Sequence, residues 1–454
     1  MKKINPSIPK GTRDFGPDEM IKREYIFSIL KNIFSKYGFQ NIETPTIENL
    51  DVLKGNYGEE GDKLLYSILN SGDFLKNQKL LDSNTNYKDL KSNIANKGLR
   101  YDLTVPLARY VSMNRNNISF PFKRYQIQKV WRADKPQKGR YREFCQCDID
   151  YVGTDSLLCE IEIINIMNSI FNQLGYNNYT LKLNNRKILA GISESLDIKN
   201  RFNELCISID KIDKIGNIGF EKELSNQNFN KKTINYLIEI FQYEGTNLEK
   251  LDFIEKKIKK SKLGLEGIED LREIINLLGE NDKKLEIDFA LARGLAYYTS
   301  SIFEIISTKT NTGSLAGGGR YDNLTEIFGL KDMSGIGISF GIERIYNLLE
   351  EQKLFPKKLT QPLRVLVTNL NNDVTKFSMK IADQLRENNI STEMYIKCSK
   401  LKKQLQFANN RKIPFVVIIG DEEKNMKKVI IKEMDSGNQK LVEINELLNI
   451  LNLK

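Results

Sequence analysis

Residues 122–151 read FKRYQIQKVWRADKPQKGRYREFCQCDIDY, and the fold turns on this stretch. It has the pattern of two β-strands joined by a basic, proline-containing loop. Residues 122–132 alternate, with Tyr125, Ile127 and Trp131 on one face and Arg124, Gln126, Gln128 and Arg132 on the other. The loop runs from Ala133 to Arg140, with Pro136 and Gly139 as breakers. On the return strand Arg142, Phe144, Gln146, Asp148 and Asp150 share a face, because side chains alternate with period two. Two readings of that face stand side by side. One is the solvated side of an antiparallel sheet, which is usually polar. The other is a site for a charged ligand with a stackable ring, since Phe144 lies among acceptors and an arginine beside a cationic loop.

On the N-terminal side, Pro17 to Tyr37 is expected as an amphipathic helix with Met20, Ile21, Tyr25, Ile29, Ile33 and Phe34 at helical spacing. Residues 39–53 read as a strand interrupted by Pro45, which confines it to an edge, a bulge or an interface. A turn-rich loop is expected at 55–61 and a polar, Asn-rich surface insertion at 76–97. Leu99 to Ser112 opens as a strand, with Asp102 and Thr104 on one face, and turns at Pro106 into a short helix. On the C-terminal side, Ser156 to Leu174 is a helix stopped by Gly175. Residues 185–285 hold mixed helical patterns and no proline, the mark of an inserted helical module. Leu285 to Ile305 reads as strand, turn and strand. Gly313 to Asp322 (GSLAGGGRYD) reads as a glycine-rich bend where backbone approaches a ligand closely. Gly335 to Leu349 passes from strand to helix. Residues 351–362 are a linker, and 363–454 alternate strand and helix as a small α/β domain with a mainly parallel sheet.

Composition narrows the chemistry. The chain of 454 residues is 40% hydrophobic and 28% charged, values of a soluble globular protein with two or three domains. It contains no histidine, which excludes Ser-His-Asp and Cys-His catalysis, HExxH metal sites and any histidine general base. Cys145 and Cys147 lack CxxC spacing, so no metal held by protein His or Cys is expected. Catalysis must then rest on arginine, lysine, carboxylates, tyrosine or a bound Mg2+. The net charge of +10 fits a polyanionic partner and equally fits solvated lysine-rich faces. No apolar run approaches a membrane span, and the N-terminal residues lack a signal-peptide core. Five scattered cysteines argue against a disulfide framework, so the cytosol is the expected compartment.

Six stretches taken in order resemble the histidyl-tRNA synthetases, a class II aminoacyl-tRNA synthetase family. PKGTRDFGPDEM resembles the family's N-terminal signature, and GFQNIETPTIE resembles motif 1, whose proline sits at the interface of a homodimer. VWRADKPQKGRYREFCQCDID is similar to motif 2 and GIGISFGIER to motif 3. LARGLAYYTS and GGGRYD are similar to the two peptides particular to the histidine enzymes. The resemblance implies an α+β fold: an antiparallel-sheet catalytic domain (1–184 and 286–350) with a helical insertion (185–285), and a C-terminal α/β anticodon-binding domain (363–454).

Carried over to this chain, the resemblance implies the following roles. Asp102, Thr104 and Gln146 hold the α-amino group of L-histidine. Asp150, with Tyr297 and Tyr298, lines the imidazole pocket. Arg132 and Arg293 face the substrate carboxylate and the α-phosphate. Arg132, Arg140 and Arg344 grip ATP with its Mg2+, adenine stacks on Phe144, and Gln137 lies near the acceptor end of tRNA(His). One peptide departs from the family's RGLDYYTG, with Ala296 for the aspartate and Ser300 for the final glycine. Two other roles remain open on this evidence, a catalytically silent regulatory subunit of histidine biosynthesis and a tRNA-sensing module. Against the first stand the four retained arginines 132, 140, 293 and 344 and the C-terminal domain, and against the second the absence of kinase motifs from this sequence.

Overall fold

The computed structural model describes residues 4–55, 58–74, 94–137, 139–279, 284–293, 298–356, 359 and 363–453. Up to residue 341 the strands are β1 (Gln40–Asn41), β2 (Ile47–Asn49), β3 (Ser67–Ile68), β4 (Lys97–Leu99), β5 (Phe122–Trp131), β6 (Glu143–Val152), β7 (Tyr179–Asn185), β8 (Leu285–Ile287), β9 (Ser301–Ser307), β10 (Ser314–Tyr321) and β11 (Gly335–Gly341). Eight of them form one sheet in the order β1-β5-β6-β11-β10-β9-β7-β8. Its interior is antiparallel, and only the end pairs β1–β5 and β7–β8 run parallel. Strands β2, β4 and β3 make a small separate antiparallel sheet.

The two faces of the large sheet differ as period-two alternation requires. Tyr125, Ile149, Tyr151, Ile336, Ile338 and Phe340 point to one side. There the helix Pro17–Lys36 lays Phe34 against the rings of Tyr125 (5.5 Å) and Phe340 (5.8 Å). Phe34 is fully buried, and a residue of this kind contributes about 1.5–3 kcal/mol through burial. The helix turns its buried stripe inward through Ile26, Ile29, Leu30, Ile33 and Phe34, while Met20 stays exposed. Helix Leu158–Gln173 is tied to the sheet by a buried ion pair, in which Arg320 donates to both carboxylate oxygens of Glu160 at 2.7 and 2.6 Å.

The opposite face is polar and yet buried. Pairing sets Arg124 opposite Asp150, Gln126 opposite Asp148, and Gln128 opposite Gln146. On the other flank of β6, Gly337, Ser339 and Gly341 face Asp150, Asp148 and Gln146. Arg124 and Gln126 are completely shielded from solvent, so the solvated-face reading of this hairpin is overturned. A residue pattern fixes which side chains share a face but not what covers it.

Three local expectations are also corrected. Gly313–Asp322 is no bend, since Ser314–Tyr321 is a full strand of the large sheet. Asp102 and Thr104 do not share a strand face. Asp102 lies in a turn, where its Oδ1 accepts from Val105 N at 3.2 Å, and Thr104 begins the helix Thr104–Asn114. Within 55–61, the segment from Gly58 is the start of a helix, Gly58–Lys63. The expected insertion at 76–97 lies outside the described residues except for 94–97.

Between β7 and β8 the chain is helical, from Arg186–Ser195 to Lys262–Leu278. The chain divides into two compact units, the first comprising 1–15 with 23–354 and the second 16–22 with 355–454. The second unit has its own sheet, ordered β13 (Thr392–Met394), β12 (Val365–Val367), β14 (Phe415–Ile418), β15 (Val429–Glu433) and β16 (Gln439–Val442). Its first three strands are parallel and its last two antiparallel. Helices Asn372–Glu387 and Ile444–Leu453 pack on the side of Val365 and Val367, and Leu401–Asn410 on the side of Leu366.

Candidate active site

On the buried polar face, Asp102, Thr104, Arg132, Gln146, Asp150 and Tyr298 line one cavity of about 50 Å3. Asp148, Tyr321 and Ser339 line it too. Asp150 sits at the centre of a charge network. Arg124 Nη2 lies 2.6 Å from its Oδ2, and the Tyr321 hydroxyl donates to Oδ1 at 2.8 Å. Burial pushes the Asp150 carboxyl above its usual range, while Arg124 and Tyr321 draw it back. Burial, with Asp150 close by, also drives the Tyr321 hydroxyl well up, so this tyrosine stays protonated and acts as a donor.

Backbone makes room for this carboxylate. A Cβ on Gly337 would lie 2.0 Å from Asp150 Oδ1, and one on Gly319 would meet the Tyr298 ring at 3.0 Å. Gly319, in the stretch read as a bend, and Gly337 are thus positions where a strand passes beneath a side chain of the site.

A second group is cationic. Arg293 Nη2 is 2.8 Å from Oε1 of Glu304, a carboxylate that is only 5% exposed. Arg344 donates to Ser314 O at 2.8 Å. Its pKa is lowered, first by burial and then by the charges of Arg293 and Arg140, so the three guanidinium groups sense one another. Arg140 reaches Asp134 Oδ1 at 2.8 Å in the β5–β6 loop, where Gln137 is exposed and exchanges backbone hydrogen bonds with Arg140. Arg132 belongs to both groups. It lines the cavity, donates from Nε to Tyr101 O at 3.0 Å, and holds its guanidinium 4.3 Å from the Tyr101 ring centre and 5.2 Å from that of Phe144. Clustered arginines beside an aromatic ring suit a ligand with adjacent phosphates and a planar base.

Of the expected residues, Tyr297 and Ala296 lie outside the described residues. Reading the sequence also missed Arg124, Asp148, Tyr321, Ser339 and Glu304. The first two already stood on the polar faces of the hairpin, and Tyr321 ends the GGGRYD peptide that was read for its backbone alone.

Ser300 is not a loosened hinge. It is 3% exposed, accepts from Asn185 Nδ2 at 3.2 Å, and donates to Asp270 Oδ2 at 3.4 Å. Asn184 Nδ2 meanwhile donates to Phe289 O and Leu291 O, so the end of β7 holds the chain on both sides of the Arg293–Tyr298 segment. Ser300→Gly is expected to cost about 1–2 kcal/mol through the lost hydrogen bonds and added backbone freedom. Thermal unfolding of the purified variant checks this; an unchanged melting temperature would show that the network contributes nothing.

Comparison with known proteins adds an independent line. Residues 11–345 match the family model for histidyl-tRNA synthetase, and residues 364–453 that for the anticodon binding domain. A histidine–tRNA ligase of Cytophaga hutchinsonii is 47% identical over 449 residues, covering 98% of this chain and 99% of that one. One from Christiangramia forsetii is 48% identical over 451 residues with the same coverage. The crystal structure of histidyl-tRNA synthetase from Nostoc sp. superposes with a TM-score of 0.82 at 30% identity, spanning 99% of this chain and 100% of that one.

Proposed function

Because the chain belongs to the histidyl-tRNA synthetase family, we infer how its buried polar cavity and arginine cluster divide the work of charging tRNA. The enzyme is a histidine–tRNA ligase. It activates L-histidine with ATP to histidyl-adenylate and passes the histidyl group to the 3′ end of tRNA(His). Relatives that bear this activity in their names align over 98% of the chain, which favours the ligase over the silent regulatory subunit.

The observation that carries the division of roles is the cavity's acidic, donor-seeking lining beside the Arg140–Arg293–Arg344 cluster. In our reading Asp102, Thr104 and Gln146 receive the α-ammonium of histidine. A neutral imidazole has one donor and one acceptor nitrogen, and Asp150 takes the donor, with Tyr297 and Tyr298 completing the ring's surroundings. Arg132 and Arg293 orient the substrate carboxylate for attack on the α-phosphate. That attack forms a new C–O–P linkage and expels pyrophosphate, with no proton to remove, so alignment and charge stabilisation suffice. An enzyme without a histidine side chain loses nothing here. ATP enters as its Mg2+ complex, with Arg140 and Arg344 on its phosphates and adenine on the Phe144 ring. Gln137 on the exposed loop approaches the tRNA acceptor end.

We further assign residues 1–184 with 286–350 to the catalytic domain, 185–285 to the helical insertion and 351–362 to the linker. A homodimer in the cytosol completes the proposal. No helix among the described residues is long and apolar enough to cross a membrane. ATP–pyrophosphate exchange by the purified protein, with and without L-histidine, tests the reading. Histidine-dependent exchange is expected, and its absence from folded protein would sink it.

A further inference from the structure

We propose that Asp148 is a specificity-determining residue that binds the α-ammonium group of histidine together with Gln146. This inference rests on the site reading above and adds a residue to it. Asp148 is 3% exposed and Gln146 8%, and both line the cavity. Asp148 Oδ1 and Gln146 Oε1 are buried acceptors without a hydrogen-bond partner. Gln146 spends its own amide donors on Ser339 Oγ at 3.3 Å and Asp148 Oδ2 at 3.4 Å, which leaves both orphaned oxygens to a third party.

A buried acceptor left unmade costs on the order of 1–3 kcal/mol, and more for a charged group, so two in one cavity call for a donor. The ligand proposed for this cavity carries one of the right kind. An ammonium has three N–H bonds, enough for Gln146, Asp148 and one further acceptor near Asp102 and Thr104. The imidazole is the poorer match, because it has a single N–H when neutral and Asp150 already takes it.

The charges facing Asp148 agree. Arg124 and Gln126 face it from β5, Ser339 from β11, Gln146 and Asp150 from its own strand, and Asp102 from the turn before helix Thr104–Asn114. The guanidinium that faces Asp148 from β5, Arg124, is already against Asp150, and Arg132 in the same cavity is held by the Tyr101 carbonyl and ring. Among the described residues no ion pair joins a cation to Asp148. Burial pushes its carboxyl up to about 7, with Arg124 and the Ser339 hydroxyl drawing it down and Asp150 and Asp102 adding to the rise. An arriving ammonium favours the ionised form, so docking histidine at or below neutral pH expels the proton from Asp148.

Calorimetric titration of the full-length protein and of Asp148→Asn distinguishes the outcomes. The ligands are L-histidine, L-histidinol, which keeps the ammonium, and 3-(imidazol-4-yl)propionate, which lacks it. At pH 8 the substitution is expected to weaken histidine and histidinol by roughly 10- to 100-fold and the propionate hardly at all. Below about pH 7 the wild-type advantage should shrink as Asp148 takes up its proton. The ligand's own imidazole titrates equally in both proteins and cancels from the ratio.

Misfolding is not the expected failure. The native state keeps this proton up to about pH 7, whereas an unfolded aspartate loses it near pH 4. The native state thus binds more protons between those values, and stability falls as pH rises across the window. Asp148→Asn removes that penalty and should melt higher at pH 8, the gain vanishing near pH 4. Equal histidine affinity in the two proteins, or equal weakening of all three ligands, overturns the inference alone. Wild-type protein that takes up no histidine overturns the site reading as well.

Discussion

Arg293→Ala is expected to lower histidine-dependent ATP–pyrophosphate exchange by about 100-fold or more. As the histidine carboxylate attacks, negative charge builds on the α-phosphate oxygens, and a guanidinium fixed nearby gains strength as that charge develops. Glu304 does the fixing. Its Oε1 holds Arg293 Nη2 at 2.8 Å, and at 5% exposure the carboxylate itself cannot turn to solvent. The same pairing adds a second loss, since the variant takes the Arg293 guanidinium away from a buried carboxylate. Arg293→Lys is expected to recover only part of the rate, because an ammonium cannot reproduce a planar fork that serves two partners at once. The decisive measurement is exchange at saturating ATP and histidine. Loss confined to KM would make Arg293 a binding residue, and near-normal turnover would remove it from the chemistry.

The second large effect is expected at Asp150. Asp150→Asn keeps the side chain's size, replaces one acceptor oxygen with an amide donor and removes the charge facing Arg124. Histidine affinity should fall roughly 100- to 1,000-fold, the scale of a buried charge pair broken on one side. The KM for ATP should move little, because the side chains bonded to Asp150, Arg124 and Tyr321, have no assigned part in holding ATP. Arg124 is wholly shielded and its counter-ion is lost, so the variant should also melt lower. Asp148→Asn is expected to shift stability the opposite way, although the two carboxylates are neighbours on one strand face. Equal loss of ATP and histidine binding in Asp150→Asn would point to a structural role instead.

Much of this was legible in the sequence, for reasons that particular residues show. The β5–β6 hairpin alternates strictly, so the partition of Arg124, Gln126, Gln146, Asp148 and Asp150 onto one face followed from period two. What that face meets did not follow, because burial is set by segments remote in the chain, among them β10 and the turn at Asp102. Strand β10 was hidden for a related reason. Its glycines look like turn residues until the opposing groups are seen: a Cβ on Gly318 would stand 2.0 Å from Gly337 O. The helix after Pro106 was visible, yet Asp102 was assigned to a strand because a capping aspartate and an alternating one look alike over three residues. In the second unit, β16 carries no inside–outside alternation to mark it, since Gln439, Lys440 and Leu441 are all exposed and Val442 alone turns inward.

Gly337 has a consequence for how this enzyme can change by descent. A Cβ at that position and the carboxylate of Asp150 claim the same volume, 2.0 Å apart. Positions distant in the gene therefore vary as one character: any replacement at 337 must displace the group proposed to read the imidazole. No neutral drift is open there while the enzyme keeps its substrate. Saturation mutagenesis of codon 337, in cells that depend on this chain for charging tRNA(His), is expected to return glycine alone. Survivors with alanine or serine would show that the strands can part enough to hold both.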